Sequence, residues 1–321
     1  MKVGIVGAGA IGGWIGAALA AAGSPVSVLA RGATLEAVRA NGLILDQESG
    51  QIAPRVAASA NAAELGPQEL LVIAVKAPAL REAAQAARPL ISRDTIIVPM
   101  LNGVPWWFLD DRPDLRPASL DPEGSIGAAL PADQVIGCVV HASCSTIEPG
   151  VIRRHFGKGL ILGEPSHAVT GRLERVSALF RDALLDVSVS ERIQQDIWYK
   201  LWGNMTMNPI SALTRATADR ILDDELVAAF TLRIMAEAAA IGAAIGCPIT
   251  ESGEDRMLVT RKLGAFKTSM LQDVEAGRDI EIEALLGAPR AIGAQAGIPT
   301  PYMDALLGMT RLFDRCRIER R

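Results

Sequence analysis

Lys2-Val3-Gly4-Ile5-Val6-Gly7-Ala8-Gly9-Ala10-Ile11-Gly12 opens the chain and decides its fold. The apolar, β-branched run Lys2–Val6 reads as a buried strand, and the alanine-rich stretch beyond Gly12 reads as a helix. A Gly-x-Gly-x-x-Gly spacing carries meaning only where a strand precedes it and a helix follows, and both conditions hold here. Gly7 permits a tight turn, Gly9 lets the backbone approach a pyrophosphate, and Gly12 lets helix and strand pack closely. The run Gly7, Ala8, Gly9, Ala10, Ile11, Gly12 would then offer phosphate the unpaired N–H groups of a helix N-terminus, where the dipole favours an anion. A dinucleotide cofactor is expected.

Outward from this motif the first half keeps one rhythm. Pro25–Leu29, Leu70–Val75 and Thr95–Pro99 are strand-like runs separated by alanine-rich segments of helical length, the βαβ alternation of a Rossmann-type, doubly wound parallel sheet. Val135–Val140, Val151–Phe156 and Leu160–Gly163 read as shorter strands, followed by a helix near Thr170–Leu184 and one last short strand. They are expected to extend the same sheet, partly antiparallel. After Ser190 strand signals nearly vanish and helical patterns run on. The expected organisation is therefore α/β over 1–189 and all-α over 190–321. Asp110–Gly124 is polar and proline-rich, and reads equally as a lid or as a plain insertion.

Composition excludes several function classes. Half of the 321 residues are hydrophobic and 21% are charged, which suits a globular chain with large cores. A net charge of -4 without a basic stripe gives no footprint for nucleic acid. Arg311, Arg315, Arg317, Arg320 and Arg321 are expected on the solvated face and frayed tip of a last helix. Cys138, Cys144, Cys247 and Cys316 are far apart, with no CxxC pair and no histidine at ligand spacing. Buried thiols in a reducing cytoplasm are expected rather than disulfides or a metal site. His141, His155 and His167 read as structural. The apolar run after Lys2 is broken by the glycines just explained, so no export signal is expected. Leu226–Ile245 carries Arg233 and Glu237 and reads as a buried helix rather than a membrane span.

Cofactor choice falls at the end of the second strand. Val28-Leu29-Ala30 runs into Arg31, with no acid to hold a ribose 2′-hydroxyl until Glu36. A cation there suits the 2′-phosphate of NADPH; the alternative is a surface residue at a helix entry. Lys76 is a second cation near the expected groove, or a solvated loop lysine.

In the second half, Asp196–Pro209 reads as a helix on which Lys200, Asn204 and Asn208 recur at i, i+4 and i+8 and share one face. Their neighbours are mostly apolar, and a polar stripe in such company is costly unless it is paired or meets a ligand. A lysine acting as acid at a carbonyl, with two amides orienting the substrate, would use it. Asn102-Gly103 reads as simple turn chemistry or as a ligand position at the C-terminal edge of the sheet. Ser269 and Glu281 do not stand out from their polar surroundings by any pattern.

Taken together, the glycine-rich start, Arg31, Val75-Lys76-Ala77, Asn102-Gly103, Lys200 with Asn204 and Asn208-Pro209, and Ser269-Met270-Leu271-Gln272-Asp273 followed by Glu281 resemble the ketopantoate reductase (2-dehydropantoate 2-reductase) family over nearly the whole chain. The resemblance implies NADPH-dependent reduction of ketopantoate to pantoate, as in pantothenate biosynthesis. It also implies a helical C-terminal domain like that of 6-phosphogluconate dehydrogenase, and an interdomain active site. By the same resemblance Lys200 is the general acid and Glu281 holds lysine and substrate. Asn102, Asn204, Asn208 and Ser269 line the substrate site.

Departures from the family pattern are Leu101 in place of a glutamine, Trp106-Trp107 as pocket wall or packing, and Ile280 and Glu283 beside Glu281. They leave substrate identity open, with a reductase of another branched 2-oxo acid as the nearest rival. A non-catalytic NADPH-binding sensor is a rival of a different class, against which the Lys200, Asn204 and Asn208 face argues. A homodimer is compatible with the sequence but not specified by it.

Overall fold

Alternating apolar strands and small-residue helices build the first half of the computed structural model, which describes residues 1–319. Arg320 and Arg321, expected at a frayed tip, lie outside the described residues. In chain order the elements are β1 (Val3–Val6), α1 (Ala10–Ala21), β2 (Val26–Leu29), α2 (Gly32–Asn41), β3 (Ile44–Gln47), β4 (Gly50–Ile52), β5 (Ala57–Ser59), α3 (Ala62–Leu65), β6 (Leu70–Ile73), α4 (Leu80–Ala87), β7 (Ile96–Pro99), β8 (Gly137–Glu148), β9 (Val151–Gly163), α5 (Gly171–Asp182) and β10 (Asp186–Val189). The order β5-β2-β1-β6-β7 forms a wholly parallel sheet. Strands β1, β6 and β7 are buried at every residue, as strands covered on both faces must be. That is why they read as continuous apolar runs.

The later strands do not extend this sheet. They form a second one, β10-β9-β3-β4 with β8 paired to β9. Among the described residues, one isolated bridge, Ile97 to Val135, joins a first-sheet strand to the approach to β8. Val151–Phe156 and Leu160–Gly163, expected as two strands, are one. At Gly157 the backbone takes φ +71°, and the β8–β9 register shifts beside it. A Cβ at Gly157 would lie 2.5 Å from the His141 carbonyl oxygen. Glycine thus lets the strand bend and continue where its apolar pattern lapses.

Helix α1 lies between the two sheets, which accounts for its composition. A Cβ at Gly13 would stand 2.4 Å from Ile152 of β9, and one at Gly16 would stand 3.2 Å from Ile5 of β1. A helix packed on both sides is apolar all round and stays thin where the sheets approach.

The chain divides into two compact units, Met1–Leu101 with Glu123–Asp196, and Asn102–Pro122 with Ile197 onward. This differs from a single break near 189, because the second unit also takes 102–122. Pro105, Trp106, Trp107, Phe108 and Leu109 are buried, and the Phe108 and Trp198 rings are 6.3 Å apart. Asp110–Gly124, which reads as a lid or an insertion, holds three short 3-10 turns. Arg116 pairs there with Asp110 at 2.9 Å and Asp121 at 3.7 Å.

Helices of the second unit are α6 (Ile193–Thr214, whose first four residues belong to the first unit), α7 (Ala218–Asp223), α8 (Glu225–Ala244), α9 (Gly253–Arg261), α10 (Ser269–Glu275), α11 (Ala288–Gln295) and α12 (Pro301–Ile318). Helix α6 runs through Pro209 rather than ending there. By length and apolarity alone α8 passes as a membrane-crossing helix, with mean hydropathy 1.6. Its buried residues, Thr231, Ile234, Met235, Ala238, Ile241 and Gly242, recur at helical spacing and make it the packing centre of this unit. Trp198 and Trp202 of α6 donate their indole N–H groups to the Ala238 and Met235 carbonyls at 3.2 and 2.8 Å. Glu237 of α8 accepts from the Tyr302 and Met303 amides at 2.9 and 2.8 Å, capping α12. Loss of a cap of this kind costs about 0.5–2 kcal/mol, so Glu237→Ala is expected to lower unfolding stability by about that much in urea titration, with Glu237→Gln losing less.

Candidate functional site

Three parallel strands of the first unit end side by side, with Leu29 of β2, Val6 of β1 and Ile73 of β6 at one level. Just beyond them lie Arg31, Gly7 and Lys76. Gly7 turns the chain at φ +94°, where a Cβ would lie 2.9 Å from the Ala74 carbonyl oxygen. A Cβ at Gly12 would sit 2.0 Å from the Gly7 carbonyl oxygen. Gly9 is different: a Cβ there would meet nothing within 4 Å. It is the N-cap of α1, which has no side-chain cap and no acid in its first turn. Two glycines are thus held by protein contacts, while the third keeps an open backbone surface at a helix N-terminus. Residues 7–12, with Ala8 buried and Ala10 and Ile11 half-buried, fit a bound pyrophosphate.

Arg31 immediately precedes α2, and its side chain is 72% exposed. Its guanidinium is hydrogen-bonded to the carboxylate of Glu82 in α4. The absence of an acid close after Arg31 in sequence is therefore offset in space by one 51 residues away. No local pattern could have revealed Glu82. Lys76 is half-buried at the entry to a short 3-10 turn, Ala77–Ala79.

The second unit gathers the other candidate residues. Lys200 Nζ donates to Asn102 Oδ1 at 3.2 Å, and Asn102 Nδ2 donates to Glu281 Oε2 at 3.3 Å. Asn208 Nδ2 donates to Ser269 Oγ at 3.4 Å. Asn204 is half-buried on α6, one turn from both Lys200 and Asn208. Glu281 and Asn208 are 9% and 5% exposed, whereas Ser269 is exposed at the first turn of α10. The apolar surroundings of the α6 stripe come from Trp198, Leu201, Trp202 and Met205, all buried. An ammonium, an amide and a carboxylate in one hydrogen-bonded chain can bind and protonate an oxyanion.

Asn102 reaches this chain because Gly103 takes φ +85°, with a would-be Cβ 2.4 Å from the Ala284 carbonyl oxygen. Ala284 belongs to a π turn, Glu283–Gly287, that follows Glu281 almost directly. The Asn102-Gly103 pair is both a turn and part of the constellation. Within the π turn, Glu283 faces away to pair with Arg311 of α12 at 2.7 Å. Ile280 is buried, as are Trp106 and Trp107 at 1% and 2% exposure, which makes the tryptophans packing residues. Lys267 is held on the surface by Glu275 at 2.8 Å.

No cluster of three metal-ligating residues occurs among the described residues. Cys138 and Cys247 are buried and Cys144 is half-buried, but Cys316 is exposed, contrary to expectation. Burial pushes the Cys144 thiol up to about 12, which leaves it a neutral packing group. His155 pairs with Ser145 at 2.9 Å on the hairpin of β8 and β9. Arg317 is not a freely solvated arginine, for its side chain is 11% exposed and paired with Asp314.

Strain at a left-handed position for a residue with a side chain costs about 1–3 kcal/mol, before any clash. Gly103→Ala is expected to destabilise the protein by at least about that much in denaturant titration. Gly264→Ala, also left-handed but facing open space, separates the two costs by losing less.

Sequence comparison places these observations among known proteins. Residues 3–167 match the family described as ketopantoate reductase PanE/ApbA, and residues 192–314 match its C-terminal domain. The 2-dehydropantoate 2-reductase of Mesorhizobium japonicum is 42% identical over 328 aligned positions, covering 100% of this chain and 99% of that protein. A crystal structure from Ralstonia solanacearum MolK2, provisionally named a ketopantoate reductase, superposes with TM-score 0.93 at 52% identity, covering 98% of each chain. The 2-dehydropantoate 2-reductase of Methylococcus capsulatus superposes with TM-score 0.86 at 28% identity, covering 99% of this chain and 98% of that one.

Proposed function

The chain belongs to the ketopantoate reductase family of oxidoreductases, and from that premise we propose that it reduces ketopantoate to pantoate with NADPH. The observation that carries this reading is the hydrogen-bonded chain Lys200–Asn102–Glu281. Bound NADPH would supply the hydride that turns the C2 carbonyl into an alcohol. The chain's own residues account for the rest. Gly7–Gly12 hold the pyrophosphate, and Arg31, with Lys76 close by, takes the 2′-phosphate.

Lys200 protonates the ketone oxygen as negative charge develops there, where a positioned ammonium stabilises it. Asn102 accepts one N–H of that ammonium and so orients it. The Glu281 carboxylate fixes the Asn102 amide, because its NH2 group must face the carboxylate and its oxygen must face the ammonium. Asn204, Asn208 and Ser269 supply amide and hydroxyl groups to the carboxylate and hydroxyl of the substrate. A sensor that performs no chemistry has no use for such an array.

Removal of a positioned general acid costs about 10²–10⁴-fold in rate. Lys200→Ala is therefore expected to lower kcat by that factor in NADPH-oxidation assays with ketopantoate. Its NADPH affinity should stay near that of the wild type, because the phosphates are held by other residues. A near-wild-type kcat with an intact circular dichroism spectrum would remove Lys200 from this role.

A charge-assisted hydrogen bond is worth about 1.5–3 kcal/mol, or roughly 10–100-fold in affinity. Arg31→Ala should weaken NADPH by that factor and leave NADH little changed, as read by KM and by calorimetry. Equal losses with both cofactors would make Arg31 a structural residue.

A further inference from the structure

Arg31 is already neutralised before any phosphate arrives, since the Glu82 carboxylate is hydrogen-bonded to it. Both side chains are largely exposed, at 72% and 66%, so neither is fixed by burial. Each extends from beyond the end of a parallel strand: Arg31 lies after β2, and Glu82 lies in the first turn of α4, after β6. In the sheet these two strands flank β1, whose end carries the glycine turn. The ion pair therefore reaches across the C-terminal edge of the sheet from one side of the glycine turn to the other. An adenosine ribose bound there would meet a cation and an anion together.

We propose that Glu82 is a specificity-determining residue that sets the balance between phosphorylated and unphosphorylated nicotinamide cofactor. The inference rests on the reading of Arg31 as the seat of a 2′-phosphate. A 2′-phosphate must draw Arg31 away from Glu82 and then lie close to a carboxylate of its own sign. At ~6 Å in high-dielectric surroundings, repulsion between a dianion and a carboxylate is worth about tenfold in affinity, and salt screens part of it. An unphosphorylated ribose meets the opposite situation. Its hydroxyls can donate to the carboxylate, the contact that NAD sites obtain from an acid at the end of the second strand. Arg31, paired with Glu82, then carries no uncompensated charge. Glu82 thus disfavours the phosphorylated cofactor and supports the unphosphorylated one.

Isothermal titration calorimetry of the full chain with NADP+ and with NAD+ tests this without catalysis. In Glu82→Gln, NADP+ should bind about 3–10-fold tighter at low salt and NAD+ about threefold weaker, with the NADP+ gain shrinking as salt rises. The effect on NADP+ should shrink but not vanish when Arg31→Ala is combined with Glu82→Gln, because the cost of drawing Arg31 off Glu82 is gone while the direct repulsion remains. A ratio of the two dissociation constants that shifts by less than about twofold in Glu82→Gln overturns the proposal. If Arg31→Ala weakens NADP+ while Glu82→Gln is silent, the phosphate seat stands and only the role of Glu82 falls. If Arg31→Ala leaves NADP+ unchanged, both fall.

Discussion

The polar constellation of the second unit turns on one primary amide. Asn102 presents its carbonyl oxygen to the Lys200 ammonium and its NH2 group to the Glu281 carboxylate. The opposite orientation would set donor against donor and acceptor against acceptor. The amide therefore converts the charges on either side into a fixed geometry. Much of the surrounding structure serves its placement. Gly103 bends left-handed against the Ala284 carbonyl, and the tryptophans that follow anchor the segment by burial. Trp198 and Trp202 tie α6, and with it Lys200, to the backbone of α8.

The first unit meets a different constraint, that of space. Helix α1 must begin at a turn tight enough for Gly7 and Gly12 to touch, and must then pass between two sheets. Its glycines and alanines satisfy both conditions; the glycines cost helix propensity, which burial of Trp14, Ile15 and Leu19 offsets. The same small residues leave the backbone at Gly9 open. Packing and ligand access are met by one composition.

Much of this is legible in the sequence through local rules. A strand, a glycine turn and a helix in immediate succession specify a parallel sheet with an anion site, because each piece constrains its neighbour. The face shared by Lys200, Asn204 and Asn208 follows from helical periodicity alone. Features that depend on distant partners stayed hidden. Strand β9 looked like two strands because Gly157 interrupts its apolar pattern, and β3 and β4 are too short and polar to stand out. Ser269 and Glu281 carried no local pattern and were reached only through family resemblance. Glu82 was invisible as a partner of Arg31, since nothing in either segment refers to the other. The segment 102–122 reads in sequence as a continuation of the first domain; its aromatic residues announce burial but do not say where.

That segment also bears on how the protein is made. Trp106, Trp107 and Phe108 leave the ribosome well before Trp198, the ring beside which Phe108 comes to rest. During synthesis a strongly apolar aromatic stretch must wait, unsatisfied, while β8, β9 and β10 are made before α6. Nascent chains in that condition are prone to aggregation and are natural clients for chaperones. A C-terminal fragment starting at Ile197 would lack both the aromatic anchor of the second unit and Asn102.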